Sequence, residues 1–156
     1  MASEIGLYYT GGAANANPDL SLGGTLSSVA LLTPALNNLF DNVLPTDIVA
    51  APHVSYRCIY LWNTGVDTAL HVQVFFTDTP NTESVLAVGF DSTSQSIAND
   101  TTAPVGITFT ESDIVTPLSL ANMASAGVHR IWIRRTVDQG AANLNDDTAY
   151  IHVWYS

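Results

Sequence analysis

Hydrophobic and polar residues alternate with a period of two in several short runs along the chain. In residues 70–76, LHVQVFF, every second side chain from Leu70 to Phe76 is apolar. Residues 129–137, HRIWIRRTV, and 149–155, AYIHVWY, alternate in a similar way. Because this pattern is typical of strands in a packed sheet, each run predicts a strand. Four further runs predict strands on the same grounds: Ile5–Tyr9, Tyr56–Trp62, Val85–Phe90 and Ile107–Phe109.

Turn-forming residues separate the predicted strands, and few segments offer a helical alternative. Only residues 27–44 and 117–126 offer one, and an ordered loop or a helical turn explains 117–126 better. Antiparallel strands linked by hairpins follow, so we predict the all-β class: an antiparallel β-sandwich, a jelly-roll-like fold or a barrel. The turns are rich in residues that tolerate tight or left-handed backbone: Asn63–Gly65, Asp78–Asn81, Asp100–Pro104 and Asp138–Gly140.

The first part of the chain differs in amino-acid composition from the rest. Residues 11–28, GGAANANPDLSLGGTLSS, are small and polar, and they cannot bury much apolar area by themselves. We therefore expect residues 1–42 to form an extended N-terminal arm that lies on a partner or a sister subunit. Residues 43–156 are predicted to form a single β-rich body domain, which folds alone from Val54 onward.

Residues 56–65, YRCIYLWNTG, contain the only cysteine and have large apolar side chains on both faces of the predicted strand. This composition favours a central strand covered on both sides, with Cys58 as a small buried hydrophobic residue. A nucleophilic thiolate needs a cationic or helix-terminal setting, which only Arg57 supplies here. A single cysteine also excludes an intramolecular disulfide and a multi-cysteine zinc cluster.

Composition and charge narrow the possible partners. The chain has 156 residues, enough for one domain, and only 12% of them are charged. It has no lysine, four arginines and fourteen acidic residues, for a formal charge of −10. Since nucleic-acid binding depends on neutralising phosphates, we expect no nucleic-acid partner and, for the same reason, no anionic membrane. The first residues lack the pattern of a signal peptide, and we expect synthesis in the cytoplasm.

No group of reactive residues predicts a catalytic or metal site. The chain has no G-x-S-x-G segment. His129 and His152 would suit a metal if they lay on neighbouring strands, but they lack the H-E-x-x-H spacing. Residues 143–148, NLNDDT, offer oxygen ligands without the spacing of a calcium loop. We expect a protein that is not an enzyme and that has no cofactor and no metal.

Three of the four arginines surround Trp132 in one predicted strand. Two alternatives stay open: the arginines form ion pairs across strands, or they meet an acidic partner. Arginine and tryptophan are enriched at interface hot spots. Together with leucines of the predicted arm, they form the set of interface candidates: Leu20, Leu22, Leu26, Arg130, Trp132, Arg134 and Arg135.

Several segments together resemble a group of virion structural proteins of tailed bacteriophages. They are SLGGTLSS, NLFDNVLPTD, YRCIYLWNTG, LHVQVFF, GFD, TAPVGITF and GVHRIWIRRTV, and they span most of the chain. The resemblance implies a non-enzymatic particle component. With the size of the chain, it implies a capsid decoration (cement) protein on the outer capsid surface of the virion. Such a protein forms a homotrimer, and its partner is the major capsid protein of the same virion.

Two other functions are consistent with a β-rich chain of this composition. One is a tail- or fibre-associated adsorption protein that presents aromatic rings to host glycans. The other is a carbohydrate-binding or hydrolytic β-sandwich, although hydrolysis needs two carboxylates at a fixed separation. The only glutamates are Glu4, Glu83 and Glu111, and Glu4 lies at the terminus, so we expect that such a pair would have to recruit aspartates. The aromatic residues available for stacking are Tyr8, Tyr9, Trp62, Trp132 and Trp154.

Overall fold

The structure, a computed structural model, is nearly all β. It describes residues 2–31, 33, 36–78, 84–142 and 149–156. Short 3-10 helices cover Pro18–Leu20, Leu36–Asn38 and Pro45–Ile48. Within the described ranges, no helix has both the length and the apolar character needed to cross a membrane. The strands are β1 (Ile5–Thr10), β2 (Leu26–Ala30), β3 (His53–Asn63), β4 (Gln73–Asp78), β5 (Ser84–Asp91), β6 (Leu118–Ser119), β7 (Val128–Val137) and β8 (Ala149–Trp154).

The strands form two antiparallel sheets that share one hydrophobic core. The larger sheet has the order β2-β1-β3-β7-β5, and the smaller sheet has the order β6-β4-β8. The core lies between them: Ile59 of β3 and Ile131 of β7 belong to the same cluster as Val74 of β4 and Ile151 of β8. This confirms the all-β antiparallel prediction and is consistent with its sandwich alternative.

Most predicted strands are present, and the exceptions have local causes. The strand predicted from Leu70 begins only at Gln73, because His71 adopts a positive φ of 53° that a strand cannot accommodate. Ile107–Phe109 is not a strand; the residue that follows it, Thr110, forms an isolated bridge with Val88 of β5. Residues 117–126 form the expected ordered loop, apart from the short strand β6. Residues 79–81 of one predicted turn lie outside the described residues.

The segment predicted as an extended arm contributes two strands to the larger sheet. β1 lies next to β3, with Tyr8 opposite Tyr60, and β2 forms the sheet edge beyond it. Further along, Leu39 and Phe40 are buried in the core. Residues 5–10 and 26–30 are thus part of the sheet instead of extending from it. Independent folding from Val54 onward stays a prediction.

The polar stretch between β1 and β2 is held by hydrogen bonds more than by apolar contact. The Cys58 amide donates to the Ser21 carbonyl (2.7 Å), and the Thr10 hydroxyl donates to the Cys58 carbonyl (2.8 Å). Gly11 has a φ of 91°, and a Cβ there would overlap the Leu20 carbonyl. The low hydrophobicity of this stretch led to the prediction of an arm. Composition does not show where backbone N–H and C=O groups will find hydrogen-bond partners, so these contacts were not foreseen.

Arg57 joins the N-terminal segment to the rest of the chain. The residue lies in β3 and is 1% exposed, yet it carries a full charge. Its Nε donates to the Leu39 carbonyl (3.1 Å), and one terminal nitrogen donates to the Tyr56 carbonyl (3.1 Å). The guanidinium also lies within reach of three carboxylates: Asp19 at 3.5 Å, Asp41 at 3.2 Å and Asp100 at 3.1 Å.

These contacts match the donor capacity of arginine. A guanidinium has five N–H donors, and five oxygen atoms lie within 3.5 Å of Arg57. The acceptors come from three separate segments around residues 19, 39–41 and 100, as well as from Tyr56. We define this set of contacts as the Arg57 junction. It fixes the N-terminal segment against β3.

Replacing Arg57 should destabilise the fold more than removing any one of its carboxylates. In Arg57→Met, the Leu39 and Tyr56 carbonyls lose their donor, and we expect the free energy of unfolding to fall by about 3 kcal/mol. In Asp41→Asn the loss should stay below about 1 kcal/mol, because that carboxylate is largely exposed. Urea unfolding of both variants measures the difference. Equal losses of unfolding free energy in the two variants would contradict the role assigned to the Arg57 junction.

Candidate functional site

The position of β3 in the sheet determines whether Cys58 can act as a nucleophile. β3 lies between β1 and β7, and Cys58 is fully buried opposite Trp132. Burial raises the pKa of the Cys58 thiol to about 12, although a hydrogen bond with Thr10 acts in the opposite direction. The thiol is therefore a packed, protonated group, as the composition of the strand predicts.

Cys58 should resist alkylation in the native protein. At a pKa of about 12, the thiolate fraction near neutral pH is roughly three-thousand-fold below that of a free cysteine with a pKa of about 8.5. We expect no iodoacetamide labelling of the folded chain over a period that labels the urea-unfolded chain completely, as read by mass spectrometry. Labelling of the native chain at the unfolded rate would contradict this.

Trp132, one of the interface candidates, is fully buried within the chain. Its indole nitrogen donates to Oδ2 of Asp91 (2.9 Å). The other oxygen of Asp91 accepts from the Thr93 amide (2.6 Å), the Thr93 hydroxyl (2.7 Å) and the Ser94 amide (3.2 Å). The ring therefore belongs to the interior of the subunit and is not available to a partner.

Asp91 is a structural carboxylate that sequence reasoning missed. Its burial favours the neutral form, but the hydrogen bonds from Thr93, Trp132 and Ser94 favour the charged form more, so the pKa of Asp91 lies below its ordinary value. The available signal was the Asp-Ser-Thr-Ser sequence at residues 91–94, directly after an apolar strand, since Asp at such a position caps a turn.

The lowered pKa of Asp91 predicts a loss of stability in acid. The carboxylate stabilises the fold above its unfolded pKa of about 3.9, and this contribution is lost as the pH falls through the lower folded value. We expect the unfolding free energy of the wild type to decline below about pH 4. Asp91→Asn should be less stable at neutral pH and should decline less steeply. An equal slope in urea titrations of both proteins would contradict the assignment.

The three arginines of β7 are half-buried, and their contacts differ. Arg130 donates to the Ser94 hydroxyl and, at 3.4 Å, to the Gly24 carbonyl. Arg134 lies over the Phe109 ring, with 5.2 Å to its centroid. Arg135 lies over Phe40 and donates to the Asp41 carbonyl (2.6 Å). In the described part of the chain, neither Arg130 nor Arg134 has a carboxylate within 4 Å.

The remaining interface candidates lie in the N-terminal segment. Leu20 is exposed, whereas Leu22 and Leu26 are half-buried. The Leu22 carbonyl accepts from the Ile97 amide (2.9 Å), and Leu26 begins β2 opposite Thr10. Of the seven predicted residues, Leu20 has the most accessible apolar side chain.

The structure does not bring together the two histidines that would suit a metal on neighbouring strands. His129 lies in the larger sheet and His152 lies in the smaller one, so the two histidines are not on neighbouring strands. His129 contacts the Ala121 carbonyl, and His152 contacts the Thr77 hydroxyl. Among the described residues, no three His, Cys, Asp or Glu side chains are grouped to hold a metal ion. The NLNDDT segment, residues 143–148, lies outside the described residues.

The connection between β5 and β6, residues 92–117, is long and well ordered. It is longer than the roughly 12–15 residues beyond which loops in compact domains are uncommon. Backbone bonds attach it to both sheets: the Tyr56 amide donates to the Asp100 carbonyl (2.7 Å), and the Phe76 amide donates to the Ser112 carbonyl (3.0 Å). A Cβ on Gly89 would lie 2.7 Å from the Thr108 carbonyl oxygen, so the connection also passes close over β5.

Short polar side chains shape the turns within this connection. The Gln95 side chain makes two hydrogen bonds with the backbone of Val105, at 2.6 and 2.9 Å. Oδ1 of Asp113 accepts from the amides of Val115 (2.8 Å) and Thr116 (2.7 Å). The two valines nevertheless project into solvent, Val105 with 82% exposure and Val115 with 81%. We call Val105, Ile114 and Val115 the aliphatic tips.

The outward side of the smaller sheet carries a row of aromatic rings. Register places Gln73 opposite Trp154, Phe75 opposite His152 and Thr77 opposite Tyr150. We call these six residues the aromatic face. Phe75 is buried at its centre, stacked on His152 (5.1 Å between centroids, 13° between planes) and edge-on to Trp154 (4.9 Å, 79°). Thr77 and His152 lie 2.8 Å apart between Oγ1 and Nε2.

Comparison with known proteins leaves the function to be argued from these features. The chain matches no protein-family model, and no curated protein matches it.

Proposed function

We propose that this chain is a decoration (cement) protein on the outer surface of a tailed-phage capsid. In this role it binds the major capsid protein of the assembled shell and stabilises the lattice without catalysing a reaction. The proposal includes a homotrimer and a location on the virion. The alternative is a protein of the tail or its fibres that takes part in adsorption.

The observation that carries the proposal is the exposure of the aliphatic tips on an ordered connection. A flexible loop would have to be ordered on binding, at a cost in conformational entropy. Here the turns that present Val105 and Val115 are already closed by hydrogen bonds with Gln95 and Asp113. Exposed apolar side chains on turns that are already closed can pack against a partner without paying that ordering cost.

Attachment to both sheets suits a protein that must transmit load. The connection is bonded to β3 through Asp100 and to β4 through Ser112. A force applied at the tips therefore reaches the strands through backbone hydrogen bonds. A subunit that binds only the assembled lattice stabilises that lattice by mass action.

Charge supports the outer surface over the DNA-filled interior. The chain has a formal charge of −10, and the Asp19 and Asp41 carboxylates at the Arg57 junction are largely exposed. Packaged DNA would repel such a surface, since its phosphates attract proteins that carry cations.

Introducing charge at the aliphatic tips should abolish shell binding. We expect the double variant Val105→Asp and Val115→Asp to lose at least about tenfold in affinity for shells that lack the protein, because two desolvated carboxylates oppose the contact. Co-sedimentation with such shells measures the affinity. The thermal midpoint should stay within about 3 °C of the wild type.

Val66→Asp provides a matched control. Val66 is 57% exposed and belongs to a different connection, the one between β3 and β4. This variant should bind shells as the wild type does. Equal loss in the control would indicate a general charge effect, and full binding by the double variant would contradict a role for the tips.

Electron microscopy of the particle that carries this chain tests its location. Density on the shell at threefold positions, in a copy number comparable to that of the major capsid protein, would support the proposal. Density confined to the tail would overturn it in favour of the adsorption alternative. The mass of the purified protein in solution tests whether the trimer forms before binding.

A further inference from the structure

The aromatic face combines accessible rings with hydrogen-bonding groups and no fixed charge. Trp154 is 50% exposed and Tyr150 is 41% exposed, whereas Thr77 and Gln73 contribute a hydroxyl and an amide. None of its six residues is Asp, Glu, Lys or Arg, in a chain with a formal charge of −10. Isolated exposed aromatics are common, but here Tyr150 and Trp154 lie on one face of the same strand with His152 between them, and such a row is not required for folding.

We propose that the aromatic face binds the neutral sugar rings of a glycan. A pyranose ring has an apolar side formed by C–H bonds and a rim of hydroxyl groups. The C–H side packs on the electron-rich face of an aromatic ring, and Trp154 and Tyr150 supply two accessible rings. Hydroxyls on the rim can bond to polar groups beside the rings, such as Gln73 opposite Trp154 and Thr77 opposite Tyr150.

Two rings of the aromatic face, those of His152 and Trp154, are held in place before any ligand binds. Phe75 supports both His152, by stacking, and Trp154, by an edge-on contact. His152 is also within hydrogen-bond distance of Thr77. Because these side chains are already ordered, binding a sugar costs less rotamer entropy than it would on a mobile surface.

The size of the face suits a short stretch of glycan better than a protein. Neighbouring strands lie about 4.8 Å apart, and side chains on one face repeat about every 7 Å along a strand. Three positions on each of two strands therefore cover on the order of 200 Å². A stable protein interface buries about 800 Å² per partner, roughly four times as much.

Charge determines the class of glycan. The acidic chain repels uronic acids, sialic acids and phosphorylated sugars at long range, and the face itself provides no cation to hold them. A cationic ligand would be drawn instead to exposed carboxylates such as Asp19 and Asp41. A neutral polysaccharide avoids both problems.

This site is separate from the proposed shell contact, and it does not rest on the proposed function. The residues of the aromatic face and the aliphatic tips do not overlap. A particle component with both surfaces would bind the shell through one and an external polysaccharide through the other. Shell binding by variants of the aromatic face should therefore equal that of the wild type.

Affinity electrophoresis tests the site. The protein is run in native gels that contain dextran, yeast mannan or mixed-linkage β-glucan, with alginate as an acidic control. We expect retardation by at least one neutral polysaccharide and none by alginate. Trp154→Ala should weaken the retardation at least tenfold and Tyr150→Ala severalfold, while Trp154→Phe, which keeps a ring, should retain most of it.

Phe90→Ala is the matched control, because Phe90 is 42% exposed but lies on β5 of the larger sheet. It should be retarded as the wild type is. Absence of retardation by all three neutral polysaccharides, or equal retardation of Trp154→Ala and the wild type, would overturn the proposal. A lower solution mass for Trp154→Ala would also overturn it, by identifying the face as a contact between copies of this chain.

Discussion

The fold depends on supplying hydrogen-bond acceptors to one buried positive charge in its central strand. Arg57 lies on β3 with almost no access to water, so its five donors must find acceptors within the protein. They find them on three segments as well as on β3 itself, and this requires the N-terminal segment, residues 39–41 and the loop at Asp100 to converge. The junction thereby specifies one arrangement of polar segments that apolar packing alone would leave underdetermined.

A central strand that is covered on both faces explains the rest of the architecture. The smaller sheet packs on the side of Ile59, and the polar stretches around Ser21 and Gln95 cover the side of Cys58. These stretches contribute few apolar atoms, and hydrogen bonds to backbone and to Asp91 hold them in position. A chain with only 12% charged residues can therefore be rich in Asn, Thr and Ser and still enclose its core.

The sequence predicts what depends on local pattern and misses what depends on long-range partners. Alternation identified β7 and β8, because each has a face that packs in the core, and large apolar side chains on both faces identified β3 as a central strand. The role of the N-terminal segment was missed because its hydrogen-bond partners lie far along the chain, as Ser21 and Cys58 show. Trp132 was predicted at an interface from composition, whereas its partner Asp91 lies on the adjacent strand. The aromatic face could have been predicted from the sequence, since Tyr150, His152 and Trp154 fall on one side of the alternating terminal run.

In the connection over residues 92–117, the groups that hold it in place are different from the side chains that it exposes to solvent. Its anchors are backbone groups and short polar side chains such as Gln95 and Asp113, whereas Val105 and Val115 make no contribution to the turns beyond their backbone atoms. Substitutions at the two valines leave in place the side chains that close the turns. The chemistry of this surface is thereby decoupled from the framework that supports it, so the exposed groups can be exchanged while the shape of the connection stays the same.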